Sequence, residues 1–352
     1  MSSTPASSTP ASSADALLRH HGDAELADGL VDLAVNVSRE PWPQWLADAL
    51  ADGLAAATAY PSPTAAEEAW AERLGRPRDE VLATAGTAEA FGLVARAHPW
   101  RAPVVVHPQF TEPDVALRTA GRFPRHVVLR AADGFRLDPG AVPEDADLVV
   151  VGNPTNPTGV LHPAADLLAL LRPGRLVVVD EAFLDAVPGE REALVTERRD
   201  GLLVLRSLTK TWALPGIRTG YAVGSAPDVA RLRALQAPWS VSSLAVAAAR
   251  ACASPEARSE QERRSSRARE DRAHLVARLR EAGLSPVTGE APFVLVRVGD
   301  GVHGALRGAG FAVRRADTFP GLDASWVRVA VRDASTSDAF VRALEAERGR
   351  VP

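Results

Sequence analysis

The chain is sparing with several residue types, and each scarcity excludes something. Its 352 residues include one cysteine, one methionine and two tyrosines, and a read-through finds a single lysine, Lys210, and three asparagines, Asn36, Asn153 and Asn156. One cysteine, Cys252, rules out an intrachain disulfide framework and suits a reducing compartment, so a cytoplasmic location is expected. No apolar run is long enough to span a bilayer. A formal net charge of −4 offers no basic field for nucleic acid or an anionic membrane surface. There is no GxxxxGK[ST] loop, "RHH" at 19–21 is a poor metal motif, and the other histidines are scattered along the chain, so no metal site is expected. The opening "MSSTPASSTPASS" has neither a basic n-region nor an apolar h-region; residues 1–13 are expected to be a disordered tail rather than a secretory signal. The mixed-sign run at 257–272 reads as a solvated helix face.

The lone lysine stands in "SLTKTWALPGIRTGY", residues 207–221. Arginine replaces lysine readily for solubility and ion pairing. It cannot replace it as an amine nucleophile, because guanidinium stays protonated while a lysine can lose its proton and form a Schiff base. A single lysine in an arginine-rich chain is therefore a candidate for chemistry, against the plain alternative of an accidental surface residue.

Short β-branched runs alternate with amphipathic stretches through the middle of the chain. "PVVVHP", "HVVLR", "DLVVVGNP", "RLVVVDEA", "LLVLRSLTK" and "GYAVG" read as buried strands, and "TEPDVALRTAG" and "PAADLLALL" as helices between them. That alternation predicts an α/β body with a mostly parallel sheet over 53–240, preceded by a segment, 14–52, that packs on it. Pro227 to Gly283 reads as one or two long helices. "FVLVRV", "FAVRR" and "WVRVAV", interleaved with helical patterns, predict a linking helix and a smaller α+β domain over 241–352.

Polar residues at strand ends are where a sheet of this kind places its site. Four places qualify: "GTAE" from Gly86, "NPTNPTG" at 153–159, "DEAFLD" at 180–185 and the lysine segment. Two of the three asparagines fall in one of them. The group suits an aldehyde cofactor with a protonatable ring and a phosphate. Lys210 supplies the amine, and Asp180 pairs with the ring nitrogen and keeps it protonated. Asn156 meets the ring hydroxyl. The backbone N–H groups of Gly86, Thr87 and Ala88 at a helix start, with Ser207, Thr209 and Arg218, form a phosphate cup. Each has a structural rival: Asp180 as a helix cap, Gly86–Thr87 as a tight turn, and Asn36 as a turn residue.

"NPTNPTG", "DEAF" and "SLTKTWALPGIRTGY", in this order and spacing, resemble the signature segments of the fold-type I, aspartate-aminotransferase-like pyridoxal-phosphate (PLP) enzymes. "NVSREPWP" and "AYPSP" resemble the N-terminal segments of the branch holding histidinol-phosphate aminotransferases and the threonine-phosphate decarboxylases of cobalamin biosynthesis. The resemblance implies PLP as cofactor, Lys210 and Asp180 as catalytic residues, and Asn156, Ser207, Thr209 and Arg218 as cofactor ligands. It also implies Phe110 stacked on the ring, Arg328 gripping a substrate carboxylate with Asn36 nearby, and a homodimer in which Tyr60 reaches the partner's cofactor phosphate. Phe183 departs from the tyrosine many aminotransferases carry, Ala88 from the acidic residue of histidinol-phosphate enzymes, and Thr219 from an aliphatic one. The implied substrate is a small amino-acid phosphate, with transamination and decarboxylation both open. A non-catalytic PLP-binding regulator is the rival of another class, against which stand the retained lysine and the absence of a basic stripe.

Overall fold

The computed structural model describes residues 13–350, so the expected tail lies outside it apart from Ser13. The strands are β1 (Val31–Leu33), β2 (Val81–Thr84), β3 (Pro103–His107), β4 (Arg125–Val128), β5 (Leu148–Gly152), β6 (Leu176–Asp180), β7 (Leu202–Ser207), β8 (Gly220–Val223), β9 (Phe293–Arg297), β10 (Phe311–Arg315) and β11 (Trp326–Ala330). Seven of them form one sheet in the order β2-β8-β7-β6-β5-β3-β4. Only β8 runs against its neighbours there; every other pair is parallel.

The valine runs explain this sheet. Successive side chains point to opposite faces, so a strand apolar at every position must be covered on both. Val149, Val151, Val177 and Val179 join one core with Leu46, Leu50 and Trp70 from the helices Gln44–Ala55 and Thr64–Leu74. Leu148, Val150 and Val178 join another with Phe91, Leu93 and Leu232 from the helices Thr87–Ala97 and Ala226–Leu235. Every strand named from the sequence is present. The added β2 is short, without the long β-branched run of its neighbours.

A second sheet has the order β1-β10-β11-β9, with β1 parallel to β10 and the other two pairs antiparallel. Its apolar face packs on Leu275 and Leu279 of the helix Pro255–Glu281 and on Phe340, Val341 and Leu344 of the helix Ala334–Arg348. The N-terminal segment thus gives a strand to this sheet.

The stretch expected as one or two long helices is three: Ala226–Leu235, Ser243–Cys252 and Pro255–Glu281. Pro238 and the left-handed backbone of Trp239, φ 58°, interrupt the first junction. Ser242 and Ser254 then cap the following helices, their hydroxyls accepting from the N–H groups of Ala245 at 3.2 Å and Ala257 at 3.1 Å. Residue composition favoured helix throughout; the caps divide it.

Candidate active site

Adjacent strands β5, β6 and β7 end at Gly152, Asp180 and Ser207, and the register sets Gly152 beside Asp180. Their carboxyl ends open on a cavity of about 470 Å³. Gly86, Thr87, Ala88, Phe110, Asn156, Asp180, Ser207, Thr209, Lys210, Arg218, Asn36 and Arg328 all line it. Antiparallel β8 brings Arg218, two residues before its start, to the same edge.

One end of the cavity is a cluster of donors. Gly86, φ 80°, precedes the helix Thr87–Ala97, whose first N–H groups have no intrahelical acceptor. A Cβ on Gly86 would sit 2.8 Å from Nη2 of Arg218, and the backbone there, φ 80° and ψ 170°, is one that glycine adopts readily and other residues do not. Arg218 donates to the carbonyls of Pro215 at 3.0 Å and Ala85 at 3.4 Å. The hydroxyls of Ser207 and Thr209 lie 2.7 Å apart.

At the cavity floor, Lys210 and Asp180 are open to the cavity and otherwise enclosed by protein. Burial pushes the Lys210 amine down from 10.5 to about 8, with Arg328 and Arg218 adding to the effect and Asp180 opposing it. Burial pushes Asp180 up to about 6, against the Ala182 N–H, which donates to Oδ1 at 3.2 Å, and against Lys210. Among the described residues the Lys210 amine has no ion pair; its nearest ring is Phe183, 5.8 Å to the centroid. The cost of charging both groups in this enclosure leaves the amine readily deprotonated and the carboxylate short of a cationic partner.

The two asparagines of "NPTNPTG" divide the work. Asn153 is wholly buried and braces its own loop, its amide donating to the His162 carbonyl at 3.2 Å and accepting from His162 N–H at 2.7 Å. Asn156 faces the cavity, where its Oδ1 accepts from Nη1 of Arg328.

The second sheet furnishes the opposite wall. Arg328 also donates to the Ala34 carbonyl, and Asn36, with its amide oxygen turned to the guanidinium, accepts from Nε at 3.1 Å and Nη1 at 3.0 Å. Burial, then Arg314, pushes Arg328 well below the ordinary arginine value. Arg314 is the cross-strand partner of Arg328 and is 2% exposed. It donates to the carbonyls of Arg315 at 2.7 Å and His20 at 2.6 Å and to the Thr318 hydroxyl at 2.6 Å. Sequence reasoning missed Arg314, and with it His21 and Asp23, which also line the cavity. The signal for Arg314 was its place on a strand that pairs with the one carrying Arg328.

Tyr60 is the one predicted residue the chain does not bring to the cavity. It is 78% exposed and stacks on Trp239, ring centroids 4.4 Å apart. Phe110 does reach the cavity wall, between Phe91 and His21. The scattered histidines also need correcting: the fold gathers His107, Asp114 and His126 so that three ligand-type atoms lie within 4.8 Å. Their bonding is that of a hydrogen-bonded cluster. The Gln109 N–H donates to Nδ1 of His107 at 3.4 Å, which leaves the proton on Nε2, facing Asp114 at 3.2 Å. Arg118 adds a guanidinium on the other Asp114 oxygen.

Residues 28–344 match the family model "Aminotransferase class I and II". The chain belongs to this family. It is 50% identical over 322 residues to a protein of Mycobacterium tuberculosis strain H37Rv named histidinol-phosphate aminotransferase, covering 90% of this chain and 88% of that one. It is 32% identical to the threonine-phosphate decarboxylase of Salmonella typhimurium, covering 90% and 91%. Aspartate aminotransferase from Thermus thermophilus has the same fold, with a TM-score of 0.82, 24% identity and coverage of 95% and 97%. Membership makes the chain a PLP-dependent enzyme, and the cavity fits that cofactor. The donor cluster around the tight approach at Gly86 suits a phosphate, Asp180 awaits a cationic ring nitrogen, and Lys210 offers a titratable amine at the right end.

Proposed function

We propose that the protein is a transaminase of a small phosphorylated amino compound. When bound, PLP supplies an electron sink at the substrate's amino-bearing carbon; the chain decides which bond is released and where the proton goes. In this reading Gly86, Thr87, Ala88, Ser207, Thr209 and Arg218 hold the cofactor phosphate, Asp180 holds the ring nitrogen protonated, Asn156 meets the ring oxygen and Phe110 covers the ring. Lys210, its amine about half-deprotonated near pH 8, takes the proton from the substrate carbon and returns it.

The observation that carries this reading is the bond from Arg328 to Asn156. It ties the arginine that holds substrate anions to the side chain assigned to the ring's oxygen-bearing edge. A substrate anion held there by Arg328 would fix the amino-bearing carbon in the cavity that Lys210 also lines, where its amine would take the proton. Arg314, next to Arg328, adds the charge that a phosphate on the substrate needs. The 50% identity to a protein named histidinol-phosphate aminotransferase supports the same reading.

Decarboxylation of an amino-acid phosphate is the second reading. Phe183, which lines the cavity beside Lys210 and is backed edge to face by Phe293 at 5.0 Å, is an apolar surface that disfavours a charged carboxylate held against it. The test is to supply the PLP form with L-threonine O-phosphate, and separately with histidinol phosphate, and follow released CO2 and pyridoxamine phosphate together. Aminated cofactor without CO2 supports the transaminase, and CO2 without aminated cofactor replaces it by the decarboxylase. Neither product from either substrate removes the phosphorylated substrate class.

The working enzyme in this reading is a cytoplasmic homodimer. Residues 53–240 form the cofactor-binding body, with 14–52 packed on it and 241 onward as linking helix and smaller domain. Tyr60 crosses to the partner's cofactor phosphate, which accounts for an exposed tyrosine stacked on an exposed tryptophan.

A further inference from the structure

Phe110 is carried by a short loop between the end of β3 and the helix Glu112–Thr119. The loop is tied across its own ends. Nε2–H of His107, the last residue of β3, donates to Oδ2 of Asp114 in the first turn of that helix, at 3.2 Å. Asp114 is wholly buried. Its second oxygen accepts from Nε of Arg118, and Nε2 of His126 on β4 also reaches Oδ2. Burial raises the Asp114 carboxyl, but the bonds from His107, His126 and Arg118 outweigh it and hold the group below the usual carboxylate range. Burial lowers His107, which keeps the ring neutral with its proton on the nitrogen facing Asp114. Inside the loop, the Gln109 side chain donates to the Val150 carbonyl at 3.3 Å, and the Thr111 hydroxyl donates to the Leu18 carbonyl at 2.6 Å.

We propose that Asp114 and His107 form a clamp that fixes Phe110 against the cofactor ring, making both of them positioning residues for the reaction. The proposal rests on PLP occupying the cavity as described above. The clamp matters because a stacking ring on an unsupported loop loses order and must recover it each time the cofactor binds. With His107 and Asp114 joined, the backbone on either side of Phe110 is set by a buried, charge-assisted bond before the cofactor arrives. Asparagine at 114 would keep one oxygen for these donors, turn an N–H toward the others and lose the charge, which weakens the clamp with little change in size.

The test compares Asp114→Asn, Phe110→Leu and the double variant with the wild-type chain. The two readouts are PLP affinity, followed by quenching of tryptophan fluorescence, and visible circular dichroism per bound cofactor. Phe110→Leu is expected to weaken PLP binding about 3- to 10-fold and to alter the visible dichroism. Asp114→Asn is expected to reproduce most of both changes, and the double variant to be no worse than Phe110→Leu alone. His107→Gln, which keeps an N–H donor of similar reach, is expected to stay near wild type. Wild-type affinity and dichroism in Asp114→Asn, or full additivity in the double variant, overturns the clamp. If Asp114→Asn does not fold, His107→Leu decides the matter on the same readouts, read against His107→Gln, because it removes this tie and the long contact from the Gln109 N–H while leaving Arg118 and His126 on Asp114. A wild-type chain that gives no visible dichroism with PLP sinks the functional reading first, and the clamp with it; a wild-type band with unchanged variants sinks the clamp alone.

Discussion

One wall of the cavity is furnished by residue types the chain scarcely owns, Lys210 and Asn156, at the strand ends of the seven-stranded sheet. The facing wall is furnished by its commonest basic residue, through Arg314 and Arg328 on the second sheet. The difference lies in what each wall must do. Bond chemistry needs an amine that gives up its proton, which arginine cannot supply. Anion holding is what a planar guanidinium with several fixed donors does well, so arginine serves there. Scarcity therefore points to Lys210 and Asn156 and passes over Arg314 and Arg328.

The comparison breaks first at Lys210. Lys210→Ala is expected to keep PLP through Asp180, Asn156 and the phosphate cup while losing about 1000-fold or more in turnover. Full activity, measured with the preferred phosphorylated substrate, would remove the lysine from the chemistry. A second effect needs no substrate. In cofactor-free protein the amine titrates at about 8 rather than 10.5, so it is deprotonated above pH 8. Its acylation, read by peptide mass spectrometry, should be half-maximal near that pH and at pH 8 run about 100-fold faster than for an ordinary lysine. A rate still climbing steeply at pH 10 would show that the enclosure does not bias the amine.

The binding wall should respond differently. Arg328→Gln is expected to lower kcat/KM about 30-fold or more, chiefly through KM, with PLP affinity unchanged. A loss confined to PLP affinity would place Arg328 on the wrong wall. The smallest effect belongs to Tyr60. Tyr60→Phe removes one hydroxyl donor and is expected to weaken PLP binding about 2- to 10-fold with no change in substrate KM. An unchanged PLP affinity would leave the tyrosine as a surface residue paired only with Trp239.

Legibility followed the same division. Strands such as "LVVVG" and "LVVVD" were readable because a run apolar on both faces has few other uses, and their ends pointed to Asp180, Asn156 and Ser207. Arg314 was not readable: among 40 basic residues it carries no distinguishing mark, and only the register that sets it opposite Arg328 gives it meaning. The His107–Asp114–His126 cluster was hidden for a related reason, since parallel pairing of β3 with β4 brings together residues that are far from adjacent in sequence. The helix breaks at Ser242 and Ser254 lay within an Ala- and Arg-rich composition, where capping geometry rather than propensity drew the boundary.

The pairing of β1 with β10 has a consequence for how the protein is made. Ala34, just past β1, accepts from an arginine 294 residues further along. A growing chain releases its N-terminal segment early, yet that segment finds its sheet only when nearly all the rest has been synthesised. Contacts so distant in sequence form late and slowly, because a very long loop must close before they gain anything. The seven-stranded sheet, complete by Val223, has its partners in hand much sooner. The order of assembly therefore runs from the seven-stranded sheet to the four-stranded one. A prematurely ended chain would carry Lys210 without Arg314 and Arg328 across the cavity from it.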